Sequence, residues 1–420
     1  MRSTSRLRIR RLWLSLVVVM LAADWRAVAQ SGTPASPAVA PKTEIRGVWL
    51  TANDMPVLRD QRKLRQAMTD LAGLGFNTLY LVAWNDGMAY YPSGVVRQRG
   101  IQDFDYRGLQ GQDVLADLIA VARPLGMLVM PWFEFGFMVP LESDLARRHP
   151  TWLTRKRDGG LTSISAAGEV AWLNPFRPEV QQLITDLVLE LSRNYPIDGI
   201  QFDDHMSLPR AFGYDPFTVA LYRKETGQPP PNNEGDGAWL QWRANKITAF
   251  MKRLKLAMRQ TRPGILLSVS PNYYGHAYKL QLQDWLSWVR QGIADELLIQ
   301  IYRDDLPSFV EHLDRPEVRE SAAKVPVAMA VMAGQRGKPA ALQTLQQQVE
   351  ATRNSGLGVG LFYLESLWSL EPALADQRKA ALAALFAQPA PRRSSPGGEA
   401  TPPVPSLDDP HPVAVPEPPG

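Results

Sequence analysis

The chain has 420 residues, 45% hydrophobic and 21% charged, a balance that excludes disorder throughout and supplies apolar material for a large core. The formal charge of +4 is concentrated at the start: the first 29 residues hold six Arg and one Asp, a net +5, so the remainder carries −1. With no basic run in the body and no nucleic-acid motif, a nucleic-acid partner is not expected. The absence of cysteine removes disulfides, thiolate catalysis and Cys-ligated zinc together.

Taken in chain order, residues 1–29 read as an export signal. Arg2, Arg6, Arg8, Arg10 and Arg11 precede an apolar run from Leu12 to Ala23, and Ala27-Val28-Ala29 offers a cleavage site. The run is short for a membrane span, which needs ~20 residues, so a cleaved leader is expected, with an uncleaved anchor as the alternative. The protein is therefore expected to be exported, to a periplasm or the cell exterior. Residues 30–42 form a Pro/Ala/Ser linker, 43–387 the folded unit, and 388–420 a Pro-dense tail expected to be disordered.

Within the folded unit, short apolar runs alternate with longer amphipathic segments, the pattern of βα units around a parallel sheet. The runs are Ile45–Thr51, Phe76–Ala83, Met127–Phe133, Gly199–Asp203, Ile265–Ser270, Glu296–Tyr302, Val325–Val331 and Gly358–Tyr363. Helices are predicted at Gln61–Ala72, Val114–Ala122, Pro178–Arg193, Ala238–Arg259, Leu280–Arg290, Leu306–Leu313, Leu342–Arg353 and Asp376–Phe386. Eight such units predict an α/β fold, a single (β/α)8 TIM barrel. An open doubly wound sheet is the alternative, but Thr51-Ala52-Asn53-Asp54 after the first strand lacks a glycine-rich phosphate turn, and no nucleotide cofactor is expected. The long βα connections 85–113, 134–177 and 204–237 are predicted to build the binding face.

Catalytic groups of such barrels stand at the C-terminal ends of the strands, so polar residues that finish apolar runs are the candidates. In Gly199-Ile200-Gln201-Phe202-Asp203-Asp204, strand alternation turns Gln201 and Asp203 into the barrel. Asp204 follows as a candidate or as an orienting neighbour, while Asp198 lies at the opposite, structural end. Glu134 sits among Trp132, Phe133, Phe135 and Phe137; apolar surroundings raise a carboxyl pKa, as a general acid requires, though an acid buried as a strut is the competing reading. Glu365, in Tyr363-Leu364-Glu365-Ser366, shares the strand parity of Tyr363 and reaches the mouth, unless it is the acid of a helix start. Asn272, Tyr273, Gln300 and Tyr302 suit hydrogen bonding to sugar hydroxyls, and Trp49, Trp84, Trp132 and Trp368 offer flat faces for stacking, some of which will be core. The five histidines, His149, His205, His276, His312 and His411, form no H-x-H or H-E-x-x-H spacing, so no metal is expected; Asp203, Asp204 and His205 are the one competing metal set.

At these same motifs the sequence resembles the glycosyl-hydrolase-like family ten, a bacterial group of exported (β/α)8 proteins. The resembling stretches are Glu44-Ile45-Arg46-Gly47-Val48-Trp49-Leu50-Thr51, Trp132-Phe133-Glu134-Phe135-Gly136, Asp198-Gly199-Ile200-Gln201-Phe202-Asp203-Asp204, Ser270-Pro271-Asn272 and Tyr363-Leu364-Glu365-Ser366-Leu367-Trp368. The resemblance implies hydrolysis of a polysaccharide, with bacterial cell-wall (peptidoglycan) glycan as substrate, and points to Asp203, Glu134 and Glu365 as its acids. The chain departs from the pattern at His205-Met206, where an aromatic residue is expected after the paired Asp.

Overall fold

Eight parallel strands follow one another around a closed cylinder: β1 (Arg46–Leu50), β2 (Thr78–Asn85), β3 (Leu128–Phe133), β4 (Gly199–Asp203), β5 (Leu266–Ser270), β6 (Glu296–Gln300), β7 (Val327–Met332) and β8 (Gly358–Phe362). Closure is made by β1, in which Val48 stands opposite Leu79 of β2 on one side and Leu361 of β8 on the other. The structure is a computed structural model that describes residues 44–101, 112–165, 168–335 and 337–388, with Ala390 and Arg392. The leader at 1–29, the linker at 30–42 and most of the tail lie outside the described residues. Every strand lies where the sequence predicts it, with ends displaced by at most two residues.

These segments form strands because parallel strands under a ring of helices are buried on both faces and so read as continuous apolar runs. β1 and β4 are buried at every residue. The interior is filled by large side chains: the Trp49 ring stacks on Tyr80 at 5.2 Å, and its indole Nε1 donates to Gln201 Oε1 at 2.7 Å. Gly360 makes room for it, since a Cβ there would lie 2.7 Å from Trp49 Cζ3. Two of the outer helices show how side-chain caps start them. Asp60 accepts from the backbone N of Arg62 and Lys63 ahead of Gln61–Gly73, and Asp113 does the same ahead of Val114–Ala122, each worth about 1 kcal/mol. The helix predicted over Leu280–Arg290 is two, Tyr274–Gln281 and Trp285–Arg290, because Leu282 adopts a left-handed conformation, φ +55°, between them.

Charged residues close the N-terminal end of the barrel. Glu44 takes Arg46 at 2.7 Å and Arg353 at 2.6 Å, tying the first strand to the helix Leu342–Asn354. Beyond the boundary at 387, Ala390 O accepts from Asn77 Nδ2 at 2.9 Å, and the Arg392 guanidinium enters the barrel base to meet Glu296 at 2.5 Å. The long connections at the other end carry structure of their own, including an antiparallel hairpin of Thr162–Ser165 with Gly168–Trp172 and the helix Pro216–Thr226. Among the described residues no helix is long and apolar enough to cross a membrane.

Candidate active site

Three carboxyls gather where β3 and β4 end. After β3 the chain turns at Gly136, φ +52°, and Phe137 N donates to His205 O at 3.0 Å, lacing this turn to the end of β4. The two backbones approach so closely that a Cβ on Gly136 would lie 2.6 Å from His205 O. Glu134 on the turn and Asp203-Asp204 on the strand end are thereby brought to one side of the mouth.

Each carboxyl is held differently. Asp203, buried, accepts from Gln300 Nε2 and, at 2.9 Å, from the backbone N of Asp204. Burial, and next the charge of Asp204, push its pKa well above the ordinary carboxylate range; Glu134 adds to this, and the two donor bonds act against it. Asp204 Oδ2 takes Asn272 Nδ2 at 2.7 Å and Gln281 Nε2 at 3.2 Å, while His205 Nδ1 lies 3.3 Å from Oδ1. Glu134 Oε2 accepts from Asn85 Nδ2 at 2.7 Å, and its carboxyl is ringed by protein while the residue keeps an opening to solvent. Burial, then the negative charges of Asp86 and Asp204, raise its pKa to about 8. Tyr302 completes the group: burial, followed by the fields of Asp203, Asp204 and Glu134, keeps its phenol protonated far into the alkaline range.

The residues predicted from sequence thus divide. Glu134, Asp203, Asp204, Asn272, Gln300 and Tyr302 converge. Glu365 does not: β8 ends at Phe362, and Glu365 lies in the first turn of the helix Leu364–Trp368, so strand parity does not carry it to the acids. Its backbone N donates to Asp54 Oδ1 at 2.8 Å and its carboxylate accepts from Tyr363 OH at 3.2 Å, which makes a second polar cluster over the end of β1. Trp49, Trp84 and Trp132 are each 1% exposed; as inward and wall-packing side chains they fill the barrel and do not present stacking faces. Trp368 turns to the outer helices, where Lys379 Nζ lies 4.9 Å from its ring centre. Tyr273 packs against His312 at 5.0 Å and beside the guanidinium groups of Arg303 and Arg315.

Other contributors escaped the sequence reading. Asn85 and Asp86 act on Glu134 from the end of β2, and the rule that found Asp203, a polar residue closing an apolar run, applies to them equally. Asp54, buried and raised to about 7 by burial despite bonds from Thr51 and Glu365, is signalled only by its place three residues after Thr51. Asp203, Asp204 and His205 each offer one ligand atom, all within 4.8 Å of one another, the spacing a metal ion needs. Their atoms have protein partners, however: His205 Nδ1 is 2.9 Å from Glu134 O, and Asp204 Oδ2 is held by two amides.

A closed βα barrel with three carboxyls gathered at the C-terminal ends of its strands has the architecture of a glycoside hydrolase. The chain belongs to the family described as Glycosyl hydrolase-like 10, whose profile matches residues 44–350. It is 27% identical over 305 residues to glycosyl hydrolase DigH of Escherichia coli K12, a match covering 61% of this chain and 65% of DigH. Glycosyl hydrolase YngK of Bacillus subtilis is 21% identical over 296 residues, covering 62% of this chain and 54% of YngK. The chain thus aligns with between about half and two thirds of these relatives. The same fold occurs in the glycoside hydrolase domain of PgaB (BpsB) from Bordetella bronchiseptica, with a TM-score of 0.60 and 16% identity over 81% of this chain and 99% of that one. It occurs too in α-L-fucosidase isoenzyme 2 of Paenibacillus thiaminolyticus, at a TM-score of 0.58 and 15% identity over 82% of this chain and 49% of that one.

Proposed function

We propose that the protein is an exported glycosidase that cleaves O-glycosidic bonds of a polysaccharide, with bacterial cell-wall glycan strands as its substrate. One observation carries this reading: Glu134, held protonated up to about 8, stands in the same mouth as the Asp203-Asp204 pair. Asn85 donates to Glu134 Oε2 and no hydrogen bond engages Oε1 among the described residues, so Oε1 would carry the proton to the glycosidic oxygen as the C–O bond breaks. The positive charge that develops on the sugar is met by the Asp203-Asp204 pair, which shares negative charge with Asp203 disposed to keep a proton, and whose ionised member acts as nucleophile or activates the incoming water. Tyr302, kept protonated, stands beside the acids as a donor, and the amides of Asn272 and Gln300 hold the carboxyls of Asp204 and Asp203 in place. The Arg-rich, then apolar N-terminus supports an extracytoplasmic site of action, and the family supports a glycan substrate.

Purified glycan strands, with and without stem peptides, provide the test. Wild-type protein is expected to release soluble saccharides at a rate that a metal chelator leaves unchanged, and Asp203→Asn to lower that rate by ~10²-fold or more. Binding of the strands by both proteins with release by neither contradicts hydrolysis and makes the barrel a glycan-binding module. Loss of release with chelator transfers the chemistry to a metal held by Asp203, Asp204 and His205.

A further inference from the structure

The His205 side chain touches both halves of the acid cluster. Its Nδ1 lies 2.9 Å from Glu134 O on the turn after β3 and 3.3 Å from Asp204 Oδ1 at the end of β4. Its own carbonyl accepts Phe137 N at 3.0 Å, so backbone and side chain bind the same turn. The ring is seated between Phe135, 6.0 Å away, and Trp172 of the hairpin, 6.1 Å away, and its side chain is 22% exposed. A backbone carbonyl only accepts hydrogen bonds, so the nitrogen facing it must carry hydrogen; in the neutral ring this assigns the proton to Nδ1 and leaves Nε2 a lone pair.

We propose that His205 is a positioning residue: its Nδ1–H, donated to Glu134 O with Asp204 Oδ1 3.3 Å from the same nitrogen, sets the separation between the proton donor and the Asp203-Asp204 pair. The proposal deepens the glycosidase reading and rests on it for its kinetic consequence. Asn272 and Gln281 hold Asp204 Oδ2 from the side of β5, and His205 is the contact that ties this carboxyl's neighbourhood to the turn bearing Glu134. A displacement of ~1 Å between reacting groups costs about 10²-fold in rate.

Two substitutions separate positioning from mere packing. Asn places an amide N–H near the location of Nδ1, whereas Gln extends its amide to the location of Nε2. On glycan strands, His205→Asn is expected to keep kcat within a few-fold of wild type, and His205→Gln to lose about 10²-fold in kcat with little change in KM. Equal kcat for the two variants, whether high or low, overturns the proposal. A second measurement is independent of activity: nitrogen-15 NMR of the full chain, with the His205 ring assigned by its loss in His205→Asn. The neutral ring is expected as the Nδ1–H tautomer, and an Nε2–H tautomer overturns the proposal. If the wild type hydrolyses nothing, the glycosidase reading fails while the tautomer still decides whether His205 makes this link.

Discussion

Glu134→Gln is expected to lower the rate on unactivated glycan by ~10²–10⁴-fold, the usual contribution of a positioned general acid. Gln keeps the shape and the bond from Asn85 but has no proton to give. The effect should shrink on aryl glycosides whose leaving groups depart without protonation, a contrast that a merely structural role does not produce. The same proton sets the pH dependence. Because burial, together with Asp86 and Asp204, raises the Glu134 pKa to about 8, the acid form persists through neutrality, and activity is expected to fall as pH rises through about 8. Stability follows the same sign. The folded chain holds this proton where the unfolded chain, with an ordinary Glu pKa near ~4.3, has released it, so stability declines with rising pH between those values. Glu134→Gln removes that decline, so the variant should gain stability relative to wild type at pH 9 compared with pH 5. Rate profiles and thermal unfolding at the two pH values check both statements.

The second large effect is expected at the opposite end of the barrel. Glu296 and Arg392 meet at 2.5 Å with side chains 2% and 8% exposed, and Tyr80 OH donates to the other Glu296 oxygen at 2.9 Å. Removing one partner of a buried ion pair strands the other charge, at about 3–5 kcal/mol. Arg392→Met is therefore expected to destabilise the fold by that amount, and addition of Glu296→Gln to recover most of it, because the uncompensated charge is then gone. Denaturant unfolding of the single and double variants decides this. An Arg392→Met protein as stable as wild type would mean that the segment beyond 387 is not part of the fold.

The barrel was legible because its signal is strong and local: eight apolar runs, each buried on both faces, separated by amphipathic helices. Gln201 and Asp203 were placed inward by alternation, and the Trp49–Gln201 bond agrees. What the sequence concealed depends on distance or on packing depth. The second strand was expected to stop at Ala83, so Asn85 and Asp86 were not seen as its catalytic-face ending. Nothing local separates a tryptophan that fills a barrel from one that lines a mouth, and Trp49, Trp84 and Trp132 proved to be filling. Glu365 was misplaced because the last strand ends one residue before Tyr363 and a helix begins at once. Composition assigned the tail to solvent, yet a single arginine in it finds a carboxylate 96 residues away.

All of this chemistry turns on one proton. Carbon-13 NMR of protein labelled at the glutamate side-chain carboxyls, with the Glu134 resonance assigned by its absence in Glu134→Gln, titrates that proton without any substrate. The expected midpoint is about 8. A midpoint in the ordinary carboxylate range, near ~4.3, would show Glu134 ionised at neutral pH and contradict its role as the proton donor.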